Sequence, residues 1–462
     1  MSTAQRITGF SEFFLHFLLL SILGVSSTFA ATPNSGQAAN VTLFENVRVF
    51  DGVNAEVSEP SHVLVRGNLI EKVSATPIAV DRSANTTIIN GEGRVLMPGL
   101  IDGHWHALMA AVSLNTMLTA DAGYLNLLAG AEAERTLMRG FTSVRDLAGN
   151  SFGLKRAIDE GVVSGPRIWP SGAMISQTSG HGDYRMLYEI PRAPGAELSH
   201  GEVMGAGVIA DGADEVLRRT REQLMMGASQ IKLAAGGGVS SMYDPLDVSQ
   251  YTSDEFEAAV EAAENWGTYV TVHAYTPRAI QTAIEAGVKV VDHSQLIDEE
   301  TARLMSKKGT WLSIQPFLDD EDATPFPEGS YNRAKQLQVA KGTDHAIQLA
   351  KKHKLKLAWG TDVLFDASLA ARQSARLTKM VRWFTPAEVL KLATSTNAEL
   401  LALSGPRSPY QGKLGVVQEG ALADLLLISG NPIEDIDLLA NPQENLLVIM
   451  KDGMVHKNST IQ

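Results

Sequence analysis

At 462 residues the chain is too long for one small core, and its length allows two or three domains or one large α/β barrel with an accessory domain. A hydrophobic content of 44% is that of an ordinary globular protein, and a formal net charge of -13 argues against a nucleic-acid or anionic-membrane surface, since either needs clustered lysine and arginine. The absence of cysteine removes disulfides, thiolate nucleophiles and Cys-ligated zinc together, so any metal must be held by histidine, carboxylate or a modified lysine.

In chain order, Arg6 precedes the apolar run "FFLHFLLLSILGV", and "SSTFAATP" follows with small residues where a signal peptidase would cut. Residues 1–31 therefore resemble a secretory signal peptide. A membrane anchor is the competing reading, but the run is shorter than the roughly 20 residues a span needs. His16 within it is incidental, and no later stretch is long and apolar enough to cross a bilayer. The mature protein is expected to be exported, periplasmic or secreted, with no membrane partner after cleavage.

From Val41 the sequence alternates as strands do, in "VTLFENVRVFDG" and "HVLVRGNLIEKV", and similar pieces return as "ADLLLISGNP" and "LLVIMKDGMVHK". Both ends are thus expected to build one composite β-sandwich domain, over residues 41–97 and 405–462, with residues 98–404 inserted as a second domain.

That inserted region alternates short apolar runs with amphipathic helical patterns, the mark of repeated βα units and a parallel sheet. Strands are predicted at "VLMPGLIDGHWH", "TSVRDLA", "RIWPSG", "QIKLAAG", "YVTVHAY", "VKVVDHSQ", "TWLSIQP" and "LKLAWGTD". Helices are predicted at stretches such as "ADEVLRRTREQLMMG", "SDEFEAAVEAAENWG", "PRAIQTAIEAG" and "DEETARLMSKKG". Eight such strands fit a (β/α)8 TIM barrel, whose catalytic groups sit at the C-terminal strand ends. A doubly wound open sheet would show a glycine-rich dinucleotide turn after its first strand, and none is present. The connection from "RIWPSG" to the helix near Ala213 runs to about forty residues and includes "SQTSGHGDYRM", a size usual for lids and binding loops, so it is expected over the barrel mouth.

Residues i and i+2 of a strand share a face, so His104 and His106 would both enter the barrel while Trp105 turns to the helix layer. Two neutral imidazoles on one face make half of a metal site. Lys232 in "QIKLAAGG", His273 in "VTVHAY", His293 in "VVDHSQ" and Asp362 in "LAWGTD" each stand near a later strand end after apolar residues. An ionisable group in that setting is costly unless it is paired or coordinates a metal.

This ordered set, His-x-His, Lys, His, His and Asp, resembles the amidohydrolase superfamily of metal-dependent barrel hydrolases, over nearly the whole mature chain. The segments "QTSGHGD", "KLAAGGGVSS" and "ADLLLISGNP" resemble the branch that holds imidazolonepropionase-like hydrolases, Xaa-Pro dipeptidases with related carboxypeptidases, and ochratoxin-type amidases. The resemblance implies two divalent ions. His104, His106 and Asp362 would hold the more buried one, His273 and His293 the other, and Lys232 would bridge them as a carbamate formed with carbon dioxide. The competing reading of Lys232 is an ordinary barrel salt bridge. Imidazole and oxygen ligands suit zinc, the metal expected first, and tolerate manganese, cobalt or iron. The implied mechanism is attack by a metal-bridging hydroxide on a polarised carbonyl, with Asp362 passing the proton to the leaving amine.

His181, in the long loop beside Tyr184 and Arg185, is a candidate substrate contact, the competing reading being a solvated loop histidine. Gly237, within the run 236–238, and Ser240, Ser241 and Tyr243 could hold a substrate carboxylate through amides and hydroxyls, although glycine runs also serve only to turn a chain. Arg145 and Asp146 are expected to pair with each other, and His200, His345, His353 and His456 to lie at the surface. Where the family often reads Glu-His-Gly, this chain has Asp292, His293 and Ser294, which keeps the ligand and alters its surroundings. The expected activity is hydrolysis of an amide bond in a dipeptide or N-acyl amino acid. A lactonase or other ester hydrolase, and a non-catalytic metal-binding barrel, stand as alternatives. A homo-oligomer, a small-molecule amide or peptide substrate and no nucleic-acid partner complete the expectations.

Overall fold

A computed structural model describes residues 40–81, 85–193 and 195–460. The signal-peptide reading of residues 1–31 lies outside them. No helix among the described residues is long and apolar enough to cross a membrane.

Both ends of the chain meet in one eight-stranded sheet. Val95–Pro98 is the seam: it runs parallel to Val41–Val49, with Val49 opposite Leu96, and antiparallel to Leu425–Ile428, with Met97 opposite Leu426. The hairpin Leu446–Lys451 and Met454–Asn458 extends the sheet on one side, and Ser61–Arg66 with Leu69–Ser74 on the other. Phe44, Val63, Leu96, Leu427 and Met450 are fully buried beneath it, as alternation of apolar residues along the strands requires.

Between these ends stands a (β/α)8 barrel. Its strands are Leu100–Trp105, Phe141–Asp146, Arg167–Pro170, Ile231–Ala234, Val270–Ala274, Val290–His293, Trp311–Ile314 and Lys356–Trp359. The run expected as one first strand is two, because Gly99 breaks it: Val95–Pro98 serves the small sheet and Leu100–Trp105 the barrel. A side chain at 99 would collide with Thr142, whose Oγ1 lies 2.2 Å from an ideal Cβ.

The helices form where the sequence supplies caps and a buried stripe. Ser253–Trp266 begins with a reciprocal Thr252–Glu255 capping box, ends at the left-handed Gly267 and buries Phe256, Ala259, Val260 and Ala263, spaced to face the strands. Asp298 caps Glu299–Lys308 by accepting from the Thr301 amide. Helix Tyr331–Lys352, the 22-residue piece after the seventh strand, escapes the sequence reading because its buried face mixes Lys335 and Thr343 with Val339, Ala346 and Ile347.

The barrel closes where first and last strands meet. Asp362 N donates to the His104 carbonyl at 2.8 Å, and Thr361 donates through its amide and hydroxyl to the buried carboxylate of Asp102. Asn397 ties the same two strands by donating to the carbonyls of Ile101 and Trp359 at 2.7 and 2.8 Å. Such close approach needs glycine: an ideal Cβ at Gly360 would lie 2.4 Å from the His104 amide, and one at Gly103 would lie 2.6 Å from the Trp359 carbonyl.

The long connection after the third strand is not plain loop. It carries the short strands Met174–Ser176 and Gly207–Ile209, which pair in parallel, and the one-turn helix His200–Val203. Elements this short carry too few residues to show a period, so the sequence alone reads as loop.

Candidate metal and substrate site

The imidazoles of His104 and His106 both turn into the barrel mouth, while Trp105 packs outward among Leu125, Ala129 and Ala133 with the Arg139 guanidinium over its ring. His104 Nε2 and His106 Nε2 lie 3.1 and 2.9 Å from Asp362 Oδ1. Ligand atoms of His104, His293 and Asp362 all lie within 4.8 Å of one another and could hold a metal ion. The His293 ring lies tilted against His104 and edge-on to His273, with centroids 4.9 and 4.4 Å away. All six residues singled out in the sequence are thus gathered at one end of the barrel. The closest set of donors combines His104 and Asp362 with His293, and His106 joins through Asp362.

The backbone supports this gathering. His293 and Asp362 have φ of 83° and 53°, left-handed values costly for residues other than glycine and met chiefly at constrained functional positions. His293 is aimed by Gln315, whose Oε1 lies 2.8 Å from its Nδ1, and His273 Nε2 lies 3.1 Å from the Gly237 carbonyl.

Lys232 Nζ donates to Asp292 Oδ2 at 2.6 Å. Asp292 also accepts from Arg145 Nη2 at 2.6 Å and Thr271 Oγ1 at 2.8 Å, and its Oδ1 lies 3.4 Å from His104 Nδ1. The expected Arg145–Asp146 pair does not form, because neighbours on a strand point to opposite faces. Arg145 turns inward to Asp292, whereas Asp146 turns outward to accept from the Ala107 amide at 2.8 Å and from Ser151. In the sequence Asp292 stands out only as a departure from the family's Glu-His-Gly. Its role depends on Arg145 and Lys232, which reach it from non-adjacent strands across the barrel.

Electrostatics follow from burial against charge. Burial would raise Asp362 and Asp292, but His104 and His293 around the first, and Lys232 and Arg145 around the second, hold both well below the usual carboxylate range. Burial pulls His293 down to about 3 and His181 to about 4, and lowers His106 and Lys232. For His104 burial acts downward and is outweighed by Asp362 and Asp292, leaving it above the ordinary imidazole value. Anionic oxygens beside the imidazoles of His106, His273 and His293, which burial keeps neutral, are donors in the state that a divalent cation requires. His106 Nδ1 is buried without a hydrogen-bond partner, as a ring held for ligation rather than for packing could be. The residues present therefore fit a metal ion.

Above the histidines opens a cavity of about 210 Å³. His181 and Tyr184 from the long connection line it, as does Ser240. His181 is no solvated loop residue: it is buried, stacks on His273 with centroids 3.9 Å apart and lies 2.9 Å from Ser241 Oγ through Nδ1. Gly238 makes room for it, since an ideal Cβ there would lie 1.9 Å from His181 Nδ1.

Gly237 and Tyr243 do not line the cavity. Gly237 packs on Pro245, where a Cβ would lie 1.7 Å from the carbonyl oxygen, and the Tyr243 hydroxyl donates to the Arg185 carbonyl at 2.7 Å. Gly238 N is taken by Asp244 at 2.8 Å. The glycine run thus serves close packing under the lid. Among the remaining histidines, His345 is exposed and His200, His353 and His456 are half-buried, His353 against Glu299.

The sequence matches the Amidohydrolase family over residues 95–456. Ochratoxinase of Aspergillus niger is 34% identical over 380 residues, 79% of this chain and 76% of that protein. Imidazolonepropionase of Deinococcus radiodurans is 26% identical over 393 residues, 82% of this chain and 88% of that protein. Among solved structures, a prolidase complexed with N-methylphosphonate-L-proline superposes with a TM-score of 0.82 at 32% identity, covering 91% of this chain and all of that one (100%).

Proposed function

Because the chain belongs to the amidohydrolase family, hydrolases of carbon-nitrogen bonds, we propose that it cleaves the amide of a dipeptide or N-acyl amino acid and releases the C-terminal amino acid, using two divalent ions. The observation that carries this reading is Asp362, whose Oδ1 stands between two imidazoles at the floor of a cavity walled largely by apolar side chains. Likeness to an ochratoxinase and a prolidase, both matched over most of their length, favours an amide of an amino acid over an ester or lactone.

In this reading His104, His106 and Asp362 hold one ion, and His273 and His293 hold the second. Lys232, once it carries carbon dioxide as a carbamate, would be a further ligand. That step replaces a buried ammonium by an anionic carbamate and releases protons. Asp292 would then lose its lysine partner and stay neutralised by Arg145 and hydrogen-bonded by Thr271. Bound zinc or a similar ion supplies Lewis acidity here, lowering the pKa of a water and polarising the scissile carbonyl. Asp362, held ionised, accepts the proton of the attacking water and delivers it to the leaving nitrogen. His181, Tyr184 and Ser240 on the cavity wall position the substrate. Export of the mature chain and a homo-oligomeric state belong to the same proposal.

Steady-state hydrolysis of a panel of N-acyl amino acids, dipeptides and lactones by zinc-loaded protein tests it. Turnover of the amides well above the lactones supports the reading, and turnover confined to lactones overturns it.

A further inference from the structure

Resting on the amide-hydrolase reading, we propose that Arg376 is the residue that binds the free carboxylate of the substrate, so that the site selects anionic over neutral acyl amino acids. Arg376 sits on the short helix Gln373–Thr378 and lines the same cavity as the histidines and Asp362. Its guanidinium is buried, and among the described residues no carboxylate stands within ion-pair distance of it. It donates only to two backbone carbonyls, those of Asp322 and, at 3.4 Å, Thr361, while its Nε has no partner at all.

A guanidinium carries five N–H donors, so most of this one's capacity is uncommitted in a setting where an unmatched charge is costly. Its neighbours differ in this respect. Arg372 pairs with Asp322 and Glu321, and Lys379 pairs with Asp320, Glu321 and Asp322, so the acids of the same wall make their ion pairs with those two side chains and act on Arg376 only from beyond contact distance. The anchor at the Thr361 carbonyl places the guanidinium one residue from Asp362 along the chain. A carboxylate seated there would lie close to the group that protonates the leaving nitrogen, as the carboxylate of a departing amino acid must. The planar fork suits a carboxylate in two-point contact. Phe317, Phe326, Val339 and Leu364 leave the rest of the cavity to an apolar acyl group or side chain.

The test compares N-benzoyl-L-phenylalanine with its C-terminal carboxamide as substrates of zinc-loaded full chain, and L-phenylalanine with L-phenylalaninamide in calorimetric binding. Wild type is expected to prefer the free acids by roughly ten- to hundredfold, the range of a charge-assisted hydrogen bond. In Arg376→Gln that preference should fall to within about threefold, and Arg376→Lys should keep part of it. Circular dichroism of both variants establishes that they are folded, and the lysine variant carries the comparison should glutamine prevent folding. An unchanged preference in the variants, or equal treatment of acid and carboxamide by wild type, overturns the assignment. If neither benzoyl compound is turned over, the hydrolase reading fails, while the binding ratios still decide the role of Arg376.

Discussion

His104 and Asp362 are joined twice: His104 Nε2 lies 3.1 Å from Asp362 Oδ1, and the Asp362 amide donates to the His104 carbonyl at 2.8 Å. The contact that closes the barrel between its first and last strands is therefore the contact that brings together the candidate metal ligands. Folding and chemistry share it.

Replacing Asp362 by Asn removes the anion while nearly keeping the shape. Asp362→Asn is expected to lower kcat by about 10²- to 10⁴-fold, the usual range for loss of a positioned proton carrier, with stability changed far less. Steady-state kinetics beside elemental analysis check it. Near-wild-type kcat would remove Asp362 from the reaction.

Gly360 tests the shared contact from the backbone side. With an ideal Cβ 2.4 Å from the His104 amide, Gly360→Ala must push the first strand aside. We expect a stability loss of about 1–3 kcal/mol in urea melts, as overpacking typically costs, together with weakened zinc binding in calorimetry. Gly161, with nothing near its Cβ position but a φ of 74°, is the control: Gly161→Ala should cost stability without touching metal affinity.

How much of this was legible in the sequence depends on what kind of order carries it. The barrel strands could be read from short apolar runs alternating with helical patterns, and the six clustered residues from the ionisable groups near the ends of some of those runs, because both patterns are local. Trp105 faces outward as period-two geometry requires. Asp292 and Arg376 were not legible as partners and as an unmatched charge, since that depends on which cations and acids meet across the barrel, as Arg145 shows by passing over Asp146 for Asp292. That Gly237 and Tyr243 do not line the cavity was equally hidden, because their places are set by packing on Pro245 and by the Arg185 carbonyl rather than by a motif.

Trp105 separates packing from ligation. Trp105→Ala should destabilise the protein by about 3–5 kcal/mol, the usual cost of deleting a large buried side chain, while zinc stoichiometry of the folded fraction stays unchanged. Chemical denaturation and elemental analysis give the two readouts.

Asp146 predicts a pH dependence. Burial raises its carboxyl from 3.8 to about 7, so the native state binds its proton more tightly than the unfolded chain. The associated stability is complete below about pH 4 and is lost as pH rises toward 7, by up to roughly 4 kcal/mol at 1.36 kcal/mol per pH unit. Asp146→Asn should remove this downward slope. Urea melts of metal-free wild type and variant from pH 4 to 8 should therefore converge at the acid end, and parallel curves across the whole range would contradict the assignment.

The central claim, a two-ion amide hydrolase, is tested most directly by titrating zinc into chelator-treated protein while following hydrolysis of an N-acyl amino acid. The account predicts no activity in the metal-free chain and a rise that saturates at two ions per chain. Full hydrolysis without metal, or two tightly bound ions with no amide turnover, would contradict it.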